Sequence, residues 1–162
     1  MPDPPSGAPP AWPRHRRFPI TYHDVDALNH LNHAAYFPFM ETLRCDYYLR
    51  LSGLPDPAHL DIIIAEADCR YLAPVNYGAE LLGEVAPARP LGRTSFALLY
   101  RFTDPGSPHT VYARGRTVIV SYDYAQKAKK PIDHAIRARL EADAVYPEGE
   151  GWAPSGERRP SK

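Results

Sequence analysis

The most regular hydrophobic pattern in the chain lies between residues 33 and 51. Large apolar residues recur there at intervals of four, three, four and four positions: Tyr36, Met40, Leu43, Tyr47 and Leu51. This spacing is that of one face of an α-helix. Other apolar residues widen the face, so we expect a long helix from His33 to Leu51 with protein on most of its circumference. Asn32 is suited to cap its start, and Gly53 to end it.

Stretches that favour β-structure surround this helix. The segment RFPITY at residues 17–22 predicts a first strand, and four longer stretches between residues 61 and 123 predict the others. A short amphipathic helix is predicted at residues 131–142. One strand, a long buried helix and a run of antiparallel strands are typical of an α+β fold in which an antiparallel sheet wraps around one long central helix. Because such a sheet has open edges, we expect at least a dimer.

Composition divides the chain into one domain and two tails. Of the 19 prolines, six lie in residues 1–16 and three in residues 147–162. These segments have too little apolar surface to fold, so we expect both to be disordered around a single domain at residues 17–146. The two tryptophans, Trp12 and Trp152, fall in the tails. Either the tails dock through them or the indoles are exposed.

Charge and cysteine content exclude several classes of protein. The 19 Lys and Arg residues balance 19 Asp and Glu residues, which argues against a nucleic-acid partner. No apolar run approaches the roughly 18 residues of a membrane helix, and the N-terminus lacks a signal-peptide pattern. We therefore expect a cytoplasmic protein without membrane contact. Cys45 and Cys69 lack the spacing of a metal site, and we expect neither a metal nor a cofactor.

The polar loop before the long helix concentrates reactive side chains. Seven occur within twelve positions: Tyr22, His23, Asp24, Asp26, His30, Asn32 and His33. A helix N-terminus presents unpaired N–H groups that can stabilise an oxyanion. A carboxylate beside it can act as general base or nucleophile, which suits acyl transfer from a thioester. The alternative, strongest for His23 and Asp24, is a polar loop whose turns position the helix.

Residues 21–44, TYHDVDALNHLNHAAYFPFMETLR, resemble the signature of hotdog-fold acyl-CoA thioesterases of the 4-hydroxybenzoyl-CoA thioesterase class. That signature is Asp-x-Asp-x-x-Gly-His-x-Asn-Asn-x-x-Tyr, followed by an aromatic-rich helix with Glu and Arg. The residues in register are Asp24, Asp26, His30, Asn32, Tyr36, Glu41 and Arg44. The order of elements over residues 17–142 agrees as well. The resemblance implies a hotdog fold, an acyl-CoA substrate, and a homodimer or homotetramer in which each site needs two subunits.

The resemblance also implies roles for individual residues. Asp26 matches the catalytic carboxylate, as base or nucleophile, and the backbone N–H of His33 matches the group that polarises the thioester carbonyl. In one subgroup a catalytic histidine stands at the position of His33 and a tyrosine at that of Tyr22. The remaining motif residues are expected to bind substrate: His30, Asn32 and Tyr36. Asn29 stands where glycine is usual, and His33 where many members have asparagine, so the acyl group stays open.

Three other functions can be compared with the residues of the same loop. His23 and Asp24 are similar to the dyad of metal-dependent phosphohydrolases, with His30 and His33 as further ligands, but those folds are mainly helical. Hotdog hydratases need a histidine five residues after an aspartate, and this chain has Asn29 and Leu31 at those positions. A hotdog domain that binds acyl-CoA without hydrolysing it is the main alternative. The presence of Asp26 argues against it.

A basic cluster precedes and enters the C-terminal helix. It contains Lys127, Lys129 and Lys130, with Arg137 and Arg139 further on. Lys127 and Lys130 are candidates for contact with the phosphates of coenzyme A. The alternative is a solvated turn and helix face, which is the more common role of such clusters.

Overall fold

The computed structural model describes residues 12–147 and contains a six-stranded antiparallel sheet. The strands are β1 (Arg14–Pro19), β2 (Ile62–Tyr71), β3 (Glu80–Ala88), β4 (Ser95–Asp104), β5 (Ser107–Asp123) and β6 (Ala128–Lys129). The helices are α1 (Tyr36–Ser52) and α2 (His134–Asp143), with 3-10 turns at Tyr22–Asp24, His33–Ala35 and Pro57–His59. The strand order is β1-β3-β4-β5-β2, and β6 pairs with β5. The predicted α+β class is confirmed.

The inner face of the sheet packs against α1. All five residues of the predicted helical face are buried, together with apolar side chains from β3, β4 and β5. The helix approaches the sheet closely at Gly115, where a Cβ atom would collide with the sulfur of Met40. The α-helix starts at Tyr36, three residues later than predicted, because His33–Ala35 forms a tighter 3-10 turn capped by Asn32.

The N-terminal boundary of the domain was predicted too late in the chain. Strand β1 begins at Arg14, which pairs with Val85, and the side chain of Trp12 is only 9% exposed. Trp12 packs on the outer face of the sheet with Leu99 and Val145. A single buried indole supplies apolar surface that the average composition of residues 1–16 conceals. The tails outside residues 12–147, including Trp152, lie outside the described residues.

Strand β2 forms one edge of the sheet. Its inner edge pairs with β5 over nearly its whole length, with a bulge between Ile64 and Glu66. Within residues 12–147 no strand pairs with its outer edge. Most of its side chains are exposed or half-buried. At its start β2 lines a cavity with Glu41 and Arg44 of α1, and at its end Tyr71 contacts His33 before α1.

In the same described part of the chain, no helix is long and apolar enough to cross a membrane.

Candidate active site

Asp24 holds the first turn of the polar loop in place. Its Oδ2 accepts hydrogen bonds from the backbone N–H and the hydroxyl of Thr21, at 2.8 and 2.6 Å. Its backbone carbonyl accepts from the N–H of Asn32 at 2.7 Å, which closes the loop just before the helix. These bonds give Asp24 the positioning role that was the alternative for this residue.

Asp26 is exposed, and its carboxylate is oriented by the backbone of the loop. Oδ1 accepts from the N–H groups of Leu28 and His30, at 2.8 and 3.2 Å. The backbone N–H of Asp26 donates to the carbonyl of His30 at 2.8 Å. The turn between them needs a left-handed residue, and Asn29 has a φ of 62°. Asparagine adopts this conformation more readily than most residues, so it can replace the usual glycine.

The N-terminal turn of the helix is organised by Asn32. Its side-chain Oδ1 accepts from the N–H of Ala34 at 2.9 Å, and its carbonyl accepts from the N–H of Ala35 at 2.9 Å. Among the described residues, no backbone carbonyl accepts a hydrogen bond from the N–H of His33. This N–H group is therefore a candidate donor to a ligand. It lies at the positive end of the helix dipole, where an oxyanion is stabilised.

A cavity of about 400 Å³ lies between this loop and the chain that follows β2. Its walls come from both segments: Asp26, His30, Leu31, His33, Tyr36, Tyr71, Leu72, Ala73, Pro74 and Val75. The N–H of Leu31 donates to the carbonyl of Val75 at 2.7 Å and joins the two walls. Four of the predicted site residues therefore share one cavity. Desolvation by burial raises the pKa of Tyr36 well above its usual range, so its side chain remains a neutral phenol.

Tyr71 belongs to this cavity, although the sequence motif did not identify it as a site residue. Its hydroxyl donates to the carbonyl of His33 at 3.0 Å, and its ring lies edge-on to the His33 ring with centroids 6.1 Å apart. The signal in the sequence was the segment ADCRYLAPVNYG, which resembles the hotdog thioesterases' strand that ends in Tyr-x-x-Pro before a glycine turn. The motif before the helix carries no information about it.

The other four predicted residues do not line the cavity in this single chain: Asn32 caps the turn at its edge, and the remaining three lie further away. Tyr22 is 78% exposed and contacts only the ring of His23 among the described aromatic residues. Lys127 lies in the turn between β5 and β6. The Nζ of Lys130 is 2.7 Å from Oδ2 of Asp61. Lys130 and Asp61 line a second cavity of about 760 Å³ at the opposite end of β2. The structure therefore does not bring these three predicted residues together with Asp26.

Metal-binding geometry is also absent from residues 12–147. No group of three or more His, Cys, Asp or Glu side chains there is arranged to hold a metal ion. The His23–Asp24 pair, disfavoured above as a phosphohydrolase dyad, is not part of such a set, and the Asp24 carboxylate accepts hydrogen bonds from Thr21.

The model of one protein family, described as the thioesterase-like superfamily, matches residues 20–140. The chain belongs to the thioesterase-like superfamily. The match starts just before the polar loop and ends within α2, so it contains the whole cavity. No curated protein matches this member of the superfamily.

Solved structures resemble this superfamily member over most of its length. A thioesterase from Thermus thermophilus, complexed with coenzyme A and Zn, is 28% identical with a TM-score of 0.70, covering 80% of this chain and 98% of its own. A Bacillus stearothermophilus protein described as a predicted thioesterase is 20% identical with a TM-score of 0.74, covering 82% of this chain and 97% of its own. The PA5185 protein of Pseudomonas aeruginosa is 24% identical with a TM-score of 0.72, covering 83% and 93%. The predicted hotdog fold is confirmed.

Proposed function

We propose that this protein is an acyl-CoA thioesterase that hydrolyses an acyl-CoA thioester to a carboxylic acid and free coenzyme A. One observation carries the proposal: the Asp26 carboxylate and the N-terminal turn of the helix at His33 line the same cavity. Membership of the thioesterase-like superfamily supports it. So does the similarity to the Thermus thermophilus thioesterase that was solved with coenzyme A. The sequence motif favours the 4-hydroxybenzoyl-CoA thioesterase class within this superfamily.

The chemistry follows from the two groups. The thioester carbonyl oxygen accepts a hydrogen bond from the His33 N–H, which stabilises the negative charge that develops during attack. As a general base, Asp26 takes a proton from the water whose oxygen adds to the carbonyl carbon. The C–S bond then breaks, and the coenzyme A thiolate takes up a proton, for which the His33 ring is a candidate carrier. As a nucleophile, Asp26 instead forms a mixed anhydride that water hydrolyses in a second step.

The active form in this proposal is a homodimer or homotetramer. The outer edge of β2 has no partner within the described chain, and an open strand edge favours pairing with a second copy. Two exposed apolar side chains, Tyr71 and Leu72, also line the cavity at the end of β2. A second copy paired along β2 would bury part of this apolar surface.

Lys127 and Lys130 remain candidates for contact with the phosphates of coenzyme A. Lys130 already forms an ion pair with Asp61, which lowers its value as an anion ligand in the single chain. Lys127 lies in an exposed turn and is the better candidate of the two.

Thiol release from a panel of aromatic and aliphatic acyl-CoAs tests the proposal. Wild-type protein should turn over at least one member, and Asp26→Asn should lower kcat at least about 100-fold because the carboxylate is lost. Asp46→Asn is the matched control, because Asp46 lies outside the cavity and pairs with Arg16 at 3.1 Å. Equal rates for wild type and Asp26→Asn would remove Asp26 from catalysis. Tight acyl-CoA binding without turnover by the wild-type protein would contradict the proposed enzyme and indicate a binding domain instead.

A further inference from the structure

The hydroxyl of Tyr71 reaches the catalytic turn from a distant part of the chain. Tyr71 is the last residue of β2, and it donates to the carbonyl oxygen of His33 at 3.0 Å across 38 residues of sequence. Its ring lies edge-on to the His33 ring and 5.5 Å from that of Tyr36, between ring centroids. Tyr71 therefore contacts both the backbone and the side chain of His33.

This hydrogen bond completes the fixation of one peptide plane. The carbonyl of His33 and the N–H of Ala34 belong to the same peptide unit. The Asn32 side chain accepts from that N–H at 2.9 Å, while Tyr71 donates to that carbonyl. The plane is therefore held at both ends, and its rotation about the bonds of His33 is restricted. The neighbouring peptide unit carries the His33 N–H, the proposed oxyanion donor.

Tyr71 is itself held by the sheet. It pairs with Ala113 of β5, and the next two N–H groups, of Leu72 and Ala73, both donate to the carbonyl of Tyr112, at 2.8 and 3.2 Å. Partial burial, with the Cys69 thiol alongside, raises the pKa of the Tyr71 phenol above its ordinary value. The hydroxyl therefore keeps its proton and remains a donor at neutral pH.

We propose that Tyr71 is a positioning residue that holds the His33 turn in the orientation needed for oxyanion stabilisation. The role rests on the proposed thioesterase function. Hydrogen-bond donors accelerate a reaction when they are already aimed at the developing charge. A turn that is free to rotate must first be reoriented, and this cost falls on the transition state more than on substrate binding.

Tyr71→Phe tests the role, because it keeps the ring contacts and removes only the hydroxyl. We expect kcat to fall about five- to tenfold, the equivalent of one ordinary hydrogen bond, with KM changed by less than about twofold. Tyr112→Phe is the matched control, because its hydroxyl bonds Asp104 at 3.2 Å and lines no part of the cavity. It should leave both constants unchanged. A purely structural role would lower the thermal midpoint of Tyr71→Phe and leave kcat unchanged, and that result would overturn the proposal.

A second measurement does not depend on activity. Backbone amide exchange at Ala34, whose N–H donates to the Asn32 side chain, should become faster in Tyr71→Phe and stay at the wild-type rate in Tyr112→Phe when it is followed by NMR. Unchanged exchange at Ala34 would overturn the positioning role. If wild type hydrolysed no acyl-CoA while exchange still responded to Tyr71→Phe, the proposed function would fail and the structural role of Tyr71 would stand.

Discussion

The close approach of α1 to the sheet at Gly115 can be tested by a single methyl group. Gly115 lies in β5 between Tyr100 of β4 and Cys69 of β2, and a Cβ atom there would overlap the sulfur of Met40. Met40 is 1% exposed, so its side chain has no open space to move into. Gly115→Ala should therefore push α1 away from the sheet or force Met40 into a strained conformation.

The expected size of the effect follows from two opposing contributions. Overpacking a buried site costs about 1–3 kcal/mol of unfolding free energy. Replacing glycine also restricts the unfolded chain, which returns about 0.4–1 kcal/mol. The difference spans about 0–2.6 kcal/mol, and from its middle we expect a net loss of about 1–2 kcal/mol for Gly115→Ala. The thermal midpoint should then fall by about 2–8 °C for a chain of this size. Gly106→Ala is the control, because only Asp104 Oδ1 lies near its Cβ, at 3.3 Å.

A double-mutant cycle measured by urea denaturation, with circular dichroism as the probe, identifies the cause. Met40→Ala alone should cost about 2–5 kcal/mol because it leaves a cavity. In the combined variant the new methyl group occupies part of the space vacated by the sulfur. The loss of unfolding free energy in the double variant should therefore be smaller than the sum of the two single losses, by about 0.5–3 kcal/mol. Additive losses, or a Gly115→Ala variant as stable as Gly106→Ala, would refute the proposed collision.

Two further predictions concern residues outside the proposed chemistry. Burial raises the pKa of Cys69 from 9.0 to about 12, so folding favours the protonated thiol. This contribution to stability is complete below pH 9 and is lost as the pH rises towards 12; native protein should react with iodoacetamide at pH 8 much more slowly at Cys69 than urea-unfolded protein, and equal rates would contradict the burial. Trp12→Ala removes an indole that packs on Leu99 and lies 4.8 Å from the Arg101 guanidinium. It should cost about 3 kcal/mol in urea denaturation, and kcat per folded molecule should stay at the wild-type value; a loss below about 1 kcal/mol would mean that the indole is not anchored there.

Local sequence patterns predicted the parts of this structure that depend on neighbouring residues. The helical face was predictable because its period is set by backbone geometry alone, and all five of its residues are buried. Asp26, His30, His33 and Tyr36 share a cavity because eleven residues of loop and turn connect them. The tight hydrogen bonds of the loop leave this short segment few alternative conformations.

Features that depend on distant residues were not predictable in the same way. The bond from Tyr71 to His33 requires the register of β2 on β5, and the pairing of Lys130 with Asp61 requires the position of β6. Trp12 was assigned to a tail because composition averages over a segment and misses one anchoring side chain. The oligomeric state and the cytoplasmic location stay predictions, and the acyl group stays open. None of them is determined by contacts within one chain.

The distinction between an enzyme and a binding domain depends on the turn at His33 more than on the cavity. Both functions need a cavity that accepts an acyl-CoA thioester. Binding alone gains little from fixing one peptide plane at both ends, because a substrate carbonyl accepts a hydrogen bond from a donor in many orientations. Hydrolysis does gain, because the oxyanion moves as the carbonyl carbon becomes tetrahedral and the donor must already point there. The hydrogen bonds of Asn32 and Tyr71 to this turn therefore favour catalysis as the function of the site.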